Sequence, residues 1–247
     1  MTSTLPPQEP IRALAADDLY PAVLAFFQDA PPGRILDVPA GHGAFAQQLL
    51  KLGHGDIDCL DIGAETFALR DPRVRFTQHD VIDPLPFPDA HFDYVFSIEG
   101  IEHFENPWTF VKELCRVLKP GGRMIISTPN TLSIDARVKY LLSGYYPRFR
   151  PLMLTPDKVM VQPVDDAHIS PIYFWQLNFF LRQGGVNIRR VGSNGLVRRQ
   201  NWLQRKLEDF VVWIIRSNIR RRRFPDIVSS DAVMFGDCLV IEGVKAP

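Results

Sequence analysis

Short apolar runs alternate with helically spaced apolar residues over the first half of the chain. The runs have the length of buried strands, and the residues between them repeat at intervals of three and four, as on one face of a helix. The predicted strands are 35–38, 57–60, 74–77, 92–98 and 123–127. This alternation predicts an α/β fold with a mostly parallel, doubly wound sheet and helices on both of its faces.

The second half of the chain follows this pattern less regularly. Further strands are predicted at 186–191 and 238–244, which brings the sheet to seven strands. Residues 131–170 break the alternation, and long connections of this kind are often lids or binding loops. The predicted helices are 11–30, one that begins near His42 and carries Phe45, Leu49 and Leu50, and then 65–69, 107–118, 171–183 and 202–220.

The domain prediction follows from these elements. We expect a single domain over residues 1–247, with a ligand-binding core at 34–130. Residues 131–170 are interpreted as a lid or substrate-binding insertion. Residues 171–247 supply C-terminal helices, including a helical excursion, and the closing strands.

The connection between the first strand and its helix contains two glycines. Gly41 and Gly43 lie in the tight turn at 39–43, where glycine allows backbone to approach a ligand that a side chain would obstruct. Asp37 lies at the end of the apolar strand just before this turn. An unpartnered carboxylate is costly there, so we expect Asp37 to meet a hydrogen-bond donor.

Four carboxylates follow strands of the predicted sheet: Asp37, Asp61, Asp80 and Glu99. Ligands of an open parallel sheet bind beyond the carboxyl ends of its strands, where the strand order reverses. With the first strand central, strands two and three on one side and strands four and five on the other, these carboxylates share one edge. They suit a ligand that carries an amino acid group, a ribose and an adenine.

A dinucleotide-binding turn is the rival interpretation. Gly41-x-Gly43-x-x-Ala46 satisfies the G-x-G-x-x-G/A fingerprint, with Asp61 near the ribose-binding position. Asp37 argues against it, because a carboxylate just before the turn repels a pyrophosphate and attracts an ammonium group. A nicotinamide oxidoreductase nevertheless remains an alternative at this stage.

Net charge, cysteine spacing and the N-terminal sequence each limit the classes of protein to which we expect this chain to belong. Lys and Arg total 28 and Asp and Glu total 28, so the zero net charge gives no support for nucleic-acid binding. Cys59, Cys115 and Cys238 lack metal-ligand or C-x-x-C spacing and are expected to be small buried apolar residues. The N-terminal residues lack the pattern of a signal peptide, so we expect a cytoplasmic protein.

Several motifs resemble those of class I S-adenosylmethionine-dependent methyltransferases, whose fold is Rossmann-like. The segments ILDVPAGHG, DIG, HDV and LKPGGRMIISTPN carry the resemblance, which covers about residues 34–130. One departure is Pro39, where the family usually has its first glycine. Pro39 is the only support for a second hypothesis, a nucleotide-binding or interaction protein that has lost catalysis. The cofactor-binding residues implied by the resemblance are Asp37, Pro39, Gly41, Gly43, Asp61, Ile62, Asp80, Val81 and Ile98.

The methyl acceptor implied by the resemblance is a hydroxyl group. FSIEGIEHFENP resembles ubiquinone-biosynthesis O-methyltransferases, whereas TPNTLSIDARVKYLLSGYY and HISP are similar to methyltransferases of bacterial cell-surface glycan assembly. We expect a sugar or lipid-linked glycan intermediate of polysaccharide biosynthesis as the acceptor. A quinone or other phenolic precursor is the alternative.

The E-x-x-E-H pattern is associated with a divalent metal in the quinone O-methyltransferases and in small-RNA 2'-O-methyltransferases. Glu99, Glu102 and His103 match it, and His168 is interpreted as a fourth ligand. Carboxylate ligands suit Mg²⁺ or Mn²⁺. Without a metal, His103 or His168 becomes the candidate general base.

Residues 202–223 combine an apolar helix with the basic cluster Arg216 and Arg220 to Arg223. The pattern has two interpretations. One is peripheral contact with the inner face of an anionic membrane. The other, which we favour from the sequence, is a helix packed on the sheet edge or in a homodimer, with solvated arginines.

Overall fold

The computed structural model describes residues 10–149 and 168–247. Its seven strands form one sheet. They are β1 (Ile35–Asp37), β2 (Ile57–Asp61), β3 (Val74–Gln78), β4 (Phe92–Ile98), β5 (Leu118–Pro129), β6 (Val186–Ser193) and β7 (Cys238–Lys245). The strand order is β3-β2-β1-β4-β5-β7-β6, and only β7 runs antiparallel to its neighbours. The predicted fold class and the central position of β1 are both confirmed.

Helices cover both faces of the sheet. They are α1 (Leu19–Leu24), α2 (Ala44–Lys51), α3 (Pro107–Val117), α4 (Ile134–Ser143), α5 (Phe174–Gln183), α6 (Trp202–Arg221) and α7 (Asp231–Phe235). Successive strand residues point to opposite faces, so Leu36 and Val95 join the core under α3 and α5, whereas Ile35 and Phe96 join the core under α1 and α2. Both cores are apolar, which holds the parallel strands between two helical layers.

Two predicted helices are wrong or too long. The helix predicted at 11–30 is reduced to α1, because the segment before it is held by tertiary contacts: the Ile11 N–H donates to Gln47 Oε1 at 3.1 Å. The segment 65–69 is not a helix. There the Ala68 N–H donates to the His42 carbonyl, which places Phe67 and Leu69 against the glycine turn.

The start of α3 and the burial of the cysteines agree with the predictions from the sequence. Asn106 caps α3 by accepting from the Thr109 N–H at 3.1 Å, with Pro107 at the first position. All three cysteines are buried and free, as expected. Within the proposed insertion at 131–170, α4 is helical, and residues 150–167 lie outside the described residues.

Candidate functional site

The glycine turn lies at the carboxyl edge of the sheet, between β1 and α2. The Val38–Pro39 peptide bond is cis, and both Gly41 and Gly43 have positive φ angles, +51° and +86°. A Cβ atom on Gly43 would lie 2.8 Å from Leu69 Cβ, so the close packing of this turn requires glycine there.

Asp37 is the most perturbed carboxylate of the turn. It is only 1% exposed, and it receives a hydrogen bond from the Ala46 backbone N–H, whereas its Oδ2 atom has no hydrogen-bond partner among the described residues. Burial, followed by the negative charge of Asp61, raises the pKa of Asp37 to about 8. A cation placed beside Oδ2 would therefore stabilise the carboxylate strongly.

Asp61 joins the end of β2 to the same turn. Its Oδ2 atom accepts from the Gly41 N–H at 2.8 Å, and its Oδ1 atom accepts from the Gly63 N–H at 2.9 Å. Each carboxylate oxygen can accept a further hydrogen bond. Asp61 is thus oriented by backbone donors and keeps acceptor capacity for a ligand.

Asp80 and its neighbours form the third part of this edge. Asp80 Oδ1 accepts from the Ile82 N–H at 3.0 Å. Ile62 is 64% exposed and Ile82 is 71% exposed, whereas Val81 and Ile98 are largely buried. Exposed aliphatic side chains beside carboxylates suit a flat aromatic ring that has polar edges. Ile82 was missed by the sequence analysis, and its position two residues after Asp80 is the signal that identifies it.

The N-terminal segment also reaches the turn, which the sequence analysis missed. A Cβ atom added to Gly41 would lie 3.0 Å from Leu14 Cδ1. Burial, followed by the charge of Asp37, raises the pKa of Tyr20 above its ordinary value. The sequence analysis placed both residues only within the helix predicted at 11–30, and such a prediction does not reveal tertiary contacts.

A second group of ionisable side chains lies after β4. Candidate ligand atoms of Glu102, His103 and His168 all lie within 4.8 Å of one another. The two imidazole rings meet edge to face, with 4.7 Å between their centroids. The Glu102 carbonyl oxygen accepts from the N–H groups of Ile169 and Ser170, and these two bonds hold His168 beside the short 3-10 turn Ile101–His103.

Glu102 has an unusual environment for a carboxylate. It is fully buried, and neither carboxylate oxygen has a hydrogen-bond partner of ordinary geometry among the described residues. Burial and then the charge of Glu99 raise the pKa of Glu102 well above its ordinary value. Burial, His103 and Arg148 lower the pKa of His168 to about 4, so its imidazole is neutral near pH 7. A neutral imidazole is available as a ligand and is a weak base.

Glu99, which was also predicted as a metal ligand, lies outside this group of three. It precedes the 3-10 turn and has a φ angle of +50°, so the helical i, i+3, i+4 geometry does not apply to it. Its Oε2 atom lies 3.4 Å from Arg148 Nη1, and Ser127 Oγ lies 3.5 Å from its Oε1 atom. Burial raises the pKa of Glu99 to about 7, although Arg148 opposes the shift.

Arg148 brings a positive charge to the side of the sheet beyond β5 and β7. It forms ion pairs with Glu99 and with Asp237, the residue just before β7. The sequence analysis placed Arg148 only within the insertion predicted at 131–170. Nothing in the sequence there identifies its two carboxylate partners, because Glu99 follows β4 and Asp237 precedes β7, and both are distant from Arg148 along the chain.

Comparison with known proteins agrees with this geometry. Residues 36–126 match the family model described as a methyltransferase domain. This segment is therefore similar in sequence to methyltransferase domains. The matched segment contains the glycine turn, Asp61, Asp80 and the E-x-x-E-H pattern, so S-adenosylmethionine is the cofactor that the family implies for this domain.

Two curated relatives share this domain. The 27-O-demethylrifamycin SV methyltransferase of Amycolatopsis mediterranei is 38% identical over 127 residues, which are 45% of this chain and 46% of the relative. The ubiquinone biosynthesis O-methyltransferase of Xanthomonas oryzae pv. oryzae is 25% identical over 171 residues, or 65% and 69% of the two chains. This chain thus spans about half the length of the first relative.

A solved structure extends the similarity of fold beyond the methyltransferase domain. The S-adenosylmethionine-dependent methyltransferase of Archaeoglobus fulgidus superposes with a TM-score of 0.58. The superposition covers 91% of this chain and 92% of the other, at 17% sequence identity. At this identity the likeness concerns the fold alone.

Proposed function

We propose that the protein is a methyltransferase that transfers the methyl group of S-adenosylmethionine to a hydroxyl oxygen of a small molecule. The observation that carries the proposal is the environment of Asp37. It is a buried carboxylate at the end of β1, beside the turn of Gly41 and Gly43, and one of its oxygens has no hydrogen-bond partner among the described residues. An ammonium group is the complement of this site.

The remaining carboxylates of this edge fit the rest of the cofactor. Asp61 has acceptor capacity for the ribose hydroxyls, and Asp80 can accept from the exocyclic amine of adenine while Ile62 and Ile82 contact its ring. The N–H groups at the start of α2 face the methionine carboxylate. A dinucleotide fits less well, because its pyrophosphate would approach Asp37 and Asp61.

The acceptor is proposed from chemistry and from the named relatives. Those relatives are enzymes of rifamycin and ubiquinone formation, so they favour the quinone or phenolic alternative. The sugar or glycan acceptor stays a prediction that none of the relatives named here supports. In either case the acceptor oxygen attacks the methyl carbon, the carbon–sulfur bond breaks, and the hydroxyl proton must leave.

We assign the ionisable side chains after β4, together with His168, to the methyl acceptor. Three of these groups could receive that proton. Glu99 has a pKa of about 7, which matches the requirement for a general base near neutral pH. His168, with a pKa of about 4, is poorly matched to that role. His103, the third group, stays a candidate base, since it lies in the same group as His168.

An acceptor screen tests the proposal. The purified protein and S-adenosylmethionine are incubated with catechols, hydroquinones and activated sugars, and S-adenosylhomocysteine is measured. We expect product with at least one phenolic acceptor and none in its absence. An inactive nucleotide-binding protein would bind the cofactor and give no product with any acceptor, whereas product with sugars alone would support the glycan prediction instead.

The group Glu102, His103 and His168 is a proposed divalent metal site. A buried carboxylate whose oxygens have no hydrogen-bond partner of ordinary geometry among the described residues is costly, and coordination of a cation would offset that cost. One carboxylate and two imidazoles favour Mn²⁺ or Zn²⁺ over Mg²⁺. A bound ion would supply a positive charge that lowers the pKa of the acceptor hydroxyl.

Glu102→Gln is expected to weaken Mn²⁺ binding by at least about tenfold, because it removes the only charged ligand of the group. Calorimetric titration of the metal into the protein without cofactor provides the measurement. Glu99→Gln is the matched control, since Glu99 lies outside the group, and it should retain wild-type affinity. Equal weakening in both variants, or no binding to the wild-type protein, would contradict the metal proposal.

A further inference from the structure

α6 has two apolar faces, and the described residues of the chain cover only one of them. Val212 is buried in the core, and Val211, Ile215 and Ile219 pack against that core. The opposite face carries six large apolar side chains that are 46–69% exposed. We call these residues the outer stripe; they are Trp202, Leu203, Leu207, Phe210, Trp213 and Ile214.

Helical geometry makes the outer stripe continuous. Leu203, Leu207, Phe210 and Ile214 follow one another at intervals of four, three and four residues, so they lie along one side of the helix. Trp213 stacks on Phe210, with 6.0 Å between the ring centroids. A contiguous exposed apolar surface of this kind marks an interaction site.

The charges of α6 are distributed unevenly around the outer stripe. Its two acidic residues, Glu208 and Asp209, both pair with Arg198, and Arg216 pairs with Asp231. Within the described residues, the other six basic side chains of α6 and its end form no ion pair. They are Arg205, Lys206, Arg220, Arg221, Arg222 and Arg223.

Both ends of the outer stripe are therefore basic. Arg205 and Lys206 lie in its first turns, with Lys206 Nζ 4.9 Å from the centre of the Trp202 ring, and Arg220 and Arg221 follow its last residue on the same side of the helix. An apolar face bounded by cations and containing tryptophan has the composition of a helix that lies in the interface of a bilayer. In the part of the chain that the structure describes, no helix has the length and apolarity needed to cross a membrane.

We propose that the outer stripe of α6 docks on the surface of an anionic lipid bilayer. The apolar side chains enter the boundary between headgroups and acyl chains, and the unpaired basic residues contact lipid phosphates. The sequence analysis favoured a packed helix, and the structure shows such packing on one face only. The proposal does not rest on the methyltransferase activity.

Charge distinguishes a bilayer from a second copy of the chain as the occupant. In a twofold dimer built on the outer stripe, an antiparallel contact would bring Arg220 and Arg221 of each copy toward Arg205 and Lys206 of the other. A parallel contact would bring the two arginine clusters together. Either arrangement places like charges side by side, which is unfavourable, whereas anionic lipids neutralise all of them.

Vesicle flotation of the full chain tests the proposal. The vesicles contain phosphatidylcholine alone or phosphatidylcholine with phosphatidylglycerol. We expect the wild-type protein to float with the anionic vesicles at low salt and to remain below the zwitterionic ones. Since each basic residue near an anionic surface contributes about fivefold in partitioning, reversal of Arg220, Arg221, Arg222 and Arg223 to Glu should lower the partition coefficient at least about 100-fold.

Two further variants separate lipid docking from general charge effects. Reversal of Lys51, Lys112, Arg182 and Arg189 to Glu changes the net charge equally at exposed positions away from α6, and it should leave most of the binding intact. Phe210→Ser with Trp213→Ser keeps every charge and should weaken binding to the anionic vesicles. Both Phe210 and Trp213 are more than half exposed, so folding should be unaffected.

The proposal is overturned if the wild-type protein stays below the anionic vesicles. Loss of binding in the control charge reversal equal to that in the arginine reversal would also overturn it. Sedimentation velocity provides a third outcome: a dimer that Phe210→Ser with Trp213→Ser dissociates would identify the outer stripe as a contact between copies of the chain.

Discussion

Replacing Asp37 by Asn is expected to weaken S-adenosylmethionine binding by about 100-fold while leaving the free protein at least as stable as the wild type. Asp37 is buried, and among the described residues it accepts a hydrogen bond from the Ala46 N–H while its Oδ2 atom has no partner. Loss of the carboxylate removes the partner of the cofactor ammonium group. Asparagine has the same shape and carries no charge, so it avoids the cost of a buried carboxylate.

The affinity of the wild-type protein for the cofactor should increase with pH. Because the pKa of Asp37 is about 8, the free protein carries a proton there at pH 7, and the cofactor ammonium group must displace it. Wild-type affinity should therefore rise by up to about tenfold per pH unit between pH 6 and 7.5, below the pKa of an α-amino group. Asp37→Asn should lack this rise.

Stability should change with pH in the opposite direction. A carboxyl group whose pKa is raised on folding makes the protein less stable as pH increases from about 4, its unfolded value, to about 8. The difference in free energy of unfolding between Asp37→Asn and the wild type should thus grow in favour of the variant from pH 5 to pH 8. Urea denaturation at both pH values measures it.

Asp58 provides the matched control for Asp37. It is also buried and lies on the neighbouring strand, but it receives hydrogen bonds from Arg34 and Arg75. Burial by itself would raise the pKa of Asp58. The hydrogen bonds from Arg34 and Arg75 outweigh burial, so the pKa of Asp58 lies below its ordinary value. Asp58→Asn should cost about 2 kcal/mol of stability and leave cofactor affinity unchanged. A similar loss of affinity in both variants would contradict the role assigned to Asp37.

Gly43→Ala is expected to destabilise the protein by about 3 kcal/mol, the second large effect. The added Cβ atom would lie 2.8 Å from Leu69 Cβ and 2.9 Å from Phe67 Cε2, and both side chains are buried. The φ angle of +86° adds backbone strain for any residue with a side chain. Urea denaturation should show the transition at a clearly lower concentration.

Gly41→Ala is the matched comparison in the same turn. Its Cβ atom would meet only Leu14, whose exposed tip can move, so the stability loss should be about 1 kcal/mol. Cofactor affinity should nevertheless fall, because the methyl group occupies space that the backbone leaves to the ligand. Gly43→Ala with wild-type stability, or Gly41→Ala with wild-type affinity, would contradict this account of the turn.

The sheet and its cofactor edge could be predicted because both depend on local patterns. Apolar runs located β1 to β5, and parallel strands bring their carboxyl ends to one edge, so Asp37, Asp61 and Asp80 follow from strand positions alone. The match of residues 36–126 to the methyltransferase family model agrees with this part of the prediction. The predicted roles of the individual site residues stay predictions.

The side chains after β4, the N-terminal segment and the packing of α6 were harder to predict, because they depend on backbone conformation and on contacts between residues distant in sequence. Glu99 was predicted as a metal ligand from the E-x-x-E-H pattern, but its backbone has a positive φ angle and its carboxylate lies beside Arg148 and Ser127. The segment that begins at Ile11 was predicted as a helix, whereas its contact with Gln47 holds it over α2. In α6, apolar residues occupy both faces, so the pattern predicts a helix without showing which face packs.

Calorimetric titration of the wild-type protein with S-adenosylhomocysteine and with NAD⁺ tests the central claim most directly. The claim is that the glycine turn and Asp37 bind the amino acid end of the methyl-donor cofactor. We expect S-adenosylhomocysteine to bind one site per chain with release of a proton at pH 7, seen as a dependence of the binding heat on the buffer, and NAD⁺ not to bind. Binding of NAD⁺ alone, or binding of neither ligand, would contradict the claim.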